Sequence, residues 1–175
     1  QWSPDGNRIA FVRRFGGDGP GEIYVMNADG SALKNLSRSP LEDRDPAWSP
    51  DGKRIAFARN VGRLNFEILL MDSVDGKNKV NITGDPRWDA QPTWSAVGTR
   101  IAFVRHVGDH DTDPDLWVMN SDGTGAVDIV SGDGLVESPD WSPKGDRILL
   151  VHVESIDGND YPVITVRPDG SGLRV

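Results

Sequence analysis

The chain contains no cysteine. That excludes disulfides, thiolate catalysis and cysteine-type zinc sites, but it does not fix the compartment. No apolar run approaches the roughly 20 residues needed to cross a bilayer, so no membrane insertion is expected. No signal-peptide pattern opens the sequence, which begins at Gln1-Trp2. Basic residues are outnumbered: 19 Lys and Arg against 27 Asp and Glu give a net charge of −8. Nucleic-acid backbones and anionic membranes select for the opposite sign, so neither is expected as a partner. Cationic partners and metal ions remain compatible with it. Catalytic motifs are also missing. There is no Gly-x-Ser-x-Gly elbow, no His-Glu-x-x-His and no phosphate-binding glycine loop. The chain is therefore expected not to be an enzyme.

What the sequence does contain is a repeat. Trp2, Trp48, Trp94 and Trp141 are each followed by serine. They recur about every 46 to 47 residues, near the period of propeller blades. Each opens a turn followed by an apolar run, as in Ser49-Pro50-Asp51-Gly52 and then Arg54-Ile55-Ala56-Phe57. A second block follows after a loop, as in Glu22-Ile23-Tyr24-Val25-Met26 before Asp29-Gly30. Each unit reads as four short strands. In the second unit these end at Trp48, then run over Arg54 to Arg59, Glu67 to Met71, and near Lys79 to Thr83. Asp29-Gly30, Asp75-Gly76, Asp122-Gly123 and Asp169-Gly170 mark the hairpins between third and fourth strands. The second and third strands are apolar on both faces, as required of a sheet packed between two neighbours. The apolar runs are too short and too often broken by Gly, Pro and Asp for helices. The expected fold is all-β, a β-propeller with four blades of four antiparallel strands. The blades span about 1–37, 45–83, 91–131 and 138–175 of a single domain.

The Trp-Ser-Pro-Asp-Gly turn, the following Arg-Ile-Ala-Phe, and the block Ile23-Tyr24-Val25-Met26-Asn27-Ala28-Asp29-Gly30-Ser31 resemble the TolB-type propeller repeat. The resemblance covers nearly the whole chain. It implies a periplasmic or extracellular location and a non-enzymatic role in binding a protein or peptide. Similar repeats also form accessory propellers of prolyl-oligopeptidase-like hydrolases and polysaccharide lyases, which gives a second reading. A sugar- or metal-binding sensor propeller is a third. Two departures matter. TolB-like propellers usually carry six or more blades, and nothing here resembles TolB's separate α/β domain. Four blades could close as a ring, pair with a second chain by self-association, or belong to a longer propeller. The incomplete first and last strands favour a piece of something larger.

Candidate site residues follow from where the repeat varies. Loops between blades, and loops joining second to third strands, share little sequence and emerge on one face. Asp45, Gln91 and Ser138 each lie three residues before a repeat tryptophan and are expected to ring the channel mouth. Trp88 breaks the repeat, and its place in a loop fits an exposed binding aromatic or local packing equally. The recurrent tryptophans, and Trp117, are expected to pack internally. Arg8, Arg54, Arg100 and Arg147 are expected to pair with turn carboxylates or backbone carbonyls. Asp109, Asp111 and Asp113 alternate in a loop and could offer oxygens to Ca²⁺, the only cofactor suggested. An acidic, solvated hairpin loop is the plainer account. His106, His110 and His152 lie in or beside the loops joining second and third strands, where a solvated role is the ordinary one.

Overall fold

The computed structural model describes residues 1–16, 19–62, 65–107, 113–132, 135–153 and 162–175. Among them there is no helix. The first sheet contains β1 (Arg8–Arg14), β2 (Gly21–Asn27) and β3 (Lys34–Asn35), with Trp2 bridging to Ile9. The second contains β4 (Asp43–Trp48), β5 (Arg54–Gly62), β6 (Asn65–Asp72) and β7 (Val80–Asn81). The third contains β8 (Asp89–Trp94), β9 (Arg100–Val107), β10 (Asp113–Asn120) and β11 (Val127–Val130). The last contains β12 (Leu135–Trp141), β13 (Ile148–Val153) and β14 (Val163–Val166), with Arg174 bridging to Thr165. All pairings are antiparallel and join neighbours in sequence. The inner strands β4, β8 and β12 pack on one another and so line the axis. The described parts of the first and last sheets make no contact, so the four blades form an arc.

The turn that opens each blade works as its residue types dictate. The Ser3 and Ser49 hydroxyls donate to Asp5 and Asp51 at 2.6 and 2.7 Å. The same hydroxyls accept the backbone N–H of Arg8 and Arg54. In the fourth blade Lys144 replaces the Asp, and Ser142 donates to Asp146 instead, at 2.8 Å. In the third, Ser95 lacks any such carboxylate but still accepts the Arg100 N–H at 3.0 Å. The repeat drift leaves this backbone bond intact throughout. The arginine side chains have different uses. Arg8 stacks on Trp48 and reaches the Ser73 carbonyl, whereas Arg147 donates to Thr165 and to the Gly172 carbonyl.

The core consists of three clusters, one per blade interface. Phe57 and Ile55 face the first blade, packing with Trp48, Ala10, Ile23 and Val25. Phe103 and Ile101 face the second blade, packing with Trp94, Ala56, Ile68 and Leu70. Ile148 and Leu150 face the third, packing with Trp141, Ala102, Leu116 and Val118. Strand alternation thus sends odd positions of β5 to one neighbour and even positions to the other. This is why both faces had to be apolar.

The glycine of the Asp-Gly hairpin has a second duty besides its turn. Gly76 sits at φ +71°, and a Cβ there would run into the carbonyl of Leu36 in the preceding blade. Gly30 has a similar φ of +84° but meets nothing within 4 Å. Gly76→Ala should therefore destabilise by more than about 2 kcal/mol, combining left-handed strain with the clash. Gly30→Ala should cost only the strain, about 1 kcal/mol. Urea denaturation of the two variants checks this, and equal losses would contradict the close approach.

Candidate functional site

Each inner strand carries a β-bulge at the same place. The β4 pairing with β5 slips between Arg44 and Ala47, so Asp45 and Pro46 together oppose Phe57. The slip recurs at Gln91-Pro92 in β8 and at Ser138-Pro139 in β12. Proline suits such a position because it has no N–H to give to the ladder. The residue before it is forced into the left-handed region: φ is 53° at Asp45, 52° at Gln91 and 52° at Ser138. Non-glycine residues seldom accept this conformation, so the surroundings must hold it.

Bonds between blades do so. The Gln91 N–H donates to Asp45 Oδ2 at 3.3 Å, and the Ser138 N–H donates to Gln91 Oε1 at 2.6 Å. The Asp45 and Gln91 side chains thus each accept from the backbone of the next bulge. Thr93 Oγ1 adds a longer bond to Asp140 Oδ1 at 3.4 Å. At the first blade, Gln1 Oε1 accepts the Trp48 N–H at 2.6 Å.

These triplets line one cavity of about 380 Å³: Asp45-Pro46-Ala47, Gln91-Pro92-Thr93 and Ser138-Pro139-Asp140, with Gln1 at the side. Its walls are acidic at Asp45 and Asp140, with amide and hydroxyl groups between them. Desolvation pushes the Asp45 carboxyl above its ordinary range, while Arg44 at 3.6 Å and the Gln91 N–H pull it back. A cavity of this kind offers acceptors and a partial negative charge.

Asp45, Gln91 and Ser138 are therefore brought together, and Trp88 is set apart from them. Its ring stacks on Phe66 at 5.3 Å and on His106 at 4.6 Å, and the Arg44 guanidinium lies 4.6 Å from it. Trp88 is half-buried in this stack and does not line the cavity. It supports Arg44, which adjoins Asp45. Trp117 is likewise partly buried, beneath the guanidinium groups of Arg87 and Arg105. Asp109 and Asp111 lie outside the described residues. Asp113 begins β10, and its side chain lies outside the description too. Among the described residues, no group of three or more His, Asp or Glu is placed to hold a metal ion.

The inner strands also hold a feature that residue-by-residue reading missed. Arg59 grips Asp43 through two bonds of 2.6 and 2.8 Å, and Arg105 grips Asp89 through two of 2.6 and 2.7 Å. Both carboxylates are fully buried. The signal was present as an aspartate two residues before Asp45 and before Gln91. It faded because the fourth blade has Val136 and His152 at the corresponding paired positions. Around the third-blade pair, Asp85 lies 3.4 Å from Arg105 and is gripped by Arg87, which holds its carboxyl down at about 2. Glu67 accepts from Thr83, Asn65 and the Asp85 N–H nearby. These groups fix the loop before β8 against the second blade.

No protein-family model matches the chain, and no curated protein sequence does. Solved structures do match. A putative TolB from Agrobacterium tumefaciens is similar with a TM-score of 0.84 at 24% identity, over 99% of this chain and 62% of that one. TolB from Acinetobacter baumannii gives 0.75 at 24% identity, over 97% and 40%. An oligogalacturonate lyase from Vibrio parahaemolyticus gives 0.74 at 15% identity, over 99% and 50%. The chain spans less than two thirds of each of these proteins. At such identities the likeness is one of fold, and the fold of this chain is a four-blade arc of the TolB-like β-propeller.

Proposed function

We propose that the chain is a non-enzymatic binding propeller that takes a protein or peptide partner at the inner-strand cavity and its loop-rich rim. One observation carries this reading: three bulges, each strained at the same φ and linked blade to blade, present a shared polar cavity. Strain held at corresponding places in three blades fits a preorganised surface for recognition. The acidic walls suit a partner segment carrying lysine or arginine. A periplasmic or extracellular setting goes with the TolB-like repeat.

A second reading is an accessory propeller of a larger exported enzyme. It is favoured by the similar fold of the oligogalacturonate lyase and of a protein described as a prolyl endopeptidase. On that reading the cavity faces a catalytic domain. A hydrolase segment in the same reading frame would decide for it.

The test uses peptides selected by display on the 175-residue protein. Selected peptides should be basic, and Asp140→Lys should weaken them by at least about tenfold. Val97→Lys, on the opposite turn face, should leave binding unchanged. Peptides that ignore Asp140→Lys but respond to Val97→Lys would overturn the assignment of the cavity.

A further inference from the structure

On the turn face, the cleft between the first two blades is occupied by the chain itself. The Arg8 guanidinium lies over the Trp48 ring at 4.5 Å and reaches the Ser73 carbonyl at 3.4 Å. The next cleft, between the second and third blades, has the same parts. Arg54 takes the place of Arg8, Trp94 that of Trp48, and Ser121 that of Ser73. The Ser73 and Ser121 N–H groups donate alike, to the Lys53 and Thr99 carbonyls at 2.9 Å. Yet Arg54 does not repeat the contact of Arg8. It is exposed, and among the described residues its guanidinium has no hydrogen bond, ion pair or ring partner. Arg54, Trp94 and Ser121 instead line a cavity of about 240 Å³.

The other walls of this cavity set its chemistry. The Trp94 indole N–H donates to the Ala47 carbonyl at 3.1 Å, which fixes the ring in place. Pro50 and Val97 add apolar surface, and Val97 is 78% exposed. The third blade's turn reads Ser95-Ala96-Val97-Gly98, so Val97 stands where the first two blades have Asp5 and Asp51. That substitution removes a carboxylate from the lip of the cavity. The carboxylate that remains, Asp51, is already engaged. It accepts from the Ser49 hydroxyl at 2.7 Å and the Lys53 N–H at 3.0 Å, with Lys53 Nζ 3.8 Å away. Of the two charged residues that line the cavity, Arg54 is therefore the unmatched one among the described residues.

We infer that this cavity binds a small aromatic carboxylate, with its ring against Trp94 and its carboxylate on the Arg54 guanidinium. The guanidinium fork matches a carboxylate in charge and geometry. A ring is called for because the walls are aromatic and apolar, and because the neighbouring cleft takes a flat group against its tryptophan. The volume lies below the roughly 300 Å³ at which pockets for drug-sized ligands begin, so the ligand is about one ring in size. A flat cation would imitate Arg8, but the unmatched positive charge of Arg54 opposes it. The site lies on the turn face, away from the inner-strand cavity and opposite to it in charge preference. The two assignments can therefore fail independently.

The test is an NMR titration of the 175-residue protein, read at the indole N–H signals of Trp94 and Trp48. Benzoate should shift the Trp94 signal saturably with a Kd of about 1 mM, an affinity within reach of so small a ligand, and leave Trp48 in place. Benzamide has the ring without the charge, and acetate the charge without the ring. Each should bind at least about tenfold more weakly. Arg54→Gln removes the cation, and Val97→Asp restores the carboxylate of the first two blades. Each should weaken benzoate by at least about tenfold while leaving the urea midpoint unchanged, because both side chains are exposed. The absence of a saturable Trp94 shift up to about 20 mM benzoate would overturn the inference. So would equal binding of benzamide or acetate, tighter binding of benzamidine, or benzoate binding that survives either substitution.

Discussion

Asp89→Ala lowers the unfolding free energy by about 3–5 kcal/mol at pH 7, the usual cost of removing one partner from a buried ion pair. Asp89 has no exposed side-chain surface, and Arg105 is 5% exposed. Without the carboxylate, the buried guanidinium keeps Asp85 at 3.4 Å but loses both bonds of its grip. The exposed pair Arg14–Glu42 offers the contrast, since breaking it should change stability by less than about 1 kcal/mol. Urea denaturation of both variants reads the difference, with equal losses contradicting the role of burial. The same residue gives a pH signature. Desolvation raises the Asp89 carboxyl to about 6, aided by nearby Glu67 and opposed by Arg105. A folded-state value above the unfolded one means that the folded chain holds the proton longer. The group's contribution to stability therefore falls as pH rises from about 4 to about 6. A carboxyl-carbon NMR titration should place the Asp89 midpoint near 6. A midpoint in the ordinary aspartate range would refute the assigned cause.

Phe57→Ala should cost about 3–5 kcal/mol, the range for deleting a buried aromatic ring. Phe57 is completely buried between the first and second blades and lies opposite the Asp45-Pro46 bulge. Its loss empties the centre of one cluster whose branched members Ile55, Ile23 and Leu36 are already held in buried packing. Phe11→Ala, the same repeat position in the first blade, should cost well under half as much. Its ring is half-exposed on a face that no blade covers within the chain. The comparison is made by urea midpoint at constant m-value, which keeps the effect in stability and not in compactness. If the two variants lost equal stability, the first blade could not be an open end. A domain's total stability is about 5–15 kcal/mol. Phe57→Ala can therefore leave much of the chain unfolded at 37 °C, and the first two blades should unfold most readily.

The sequence by itself determined the number of blades, their order and their strand-and-turn pattern. It did so because each of these rests on local chemistry. Short continuous apolar runs, a Ser-Pro-Asp-Gly turn and an Asp-Gly hairpin act within a few residues of one another. The grouping of Asp45, Gln91 and Ser138 was legible for the same reason, since equal distance from the repeat tryptophan puts them at equal height. Other features depend on what a different blade places nearby, and these only the tertiary structure decided. Trp88 could not be assigned from its loop, because its partners Phe66, Arg44 and His106 come from three strands. The Asp89–Arg105 grip joins residues 16 apart whose burial no local pattern reveals. Gly76 and Gly30 look identical in sequence, yet one faces the Leu36 carbonyl and the other faces solvent. Trp2 and Trp48 also share their local sequence, and only the presence of a neighbouring blade separates an exposed ring from a buried one. A repeat specifies each unit through its own residues, but the environment of a unit is set by the units beside it.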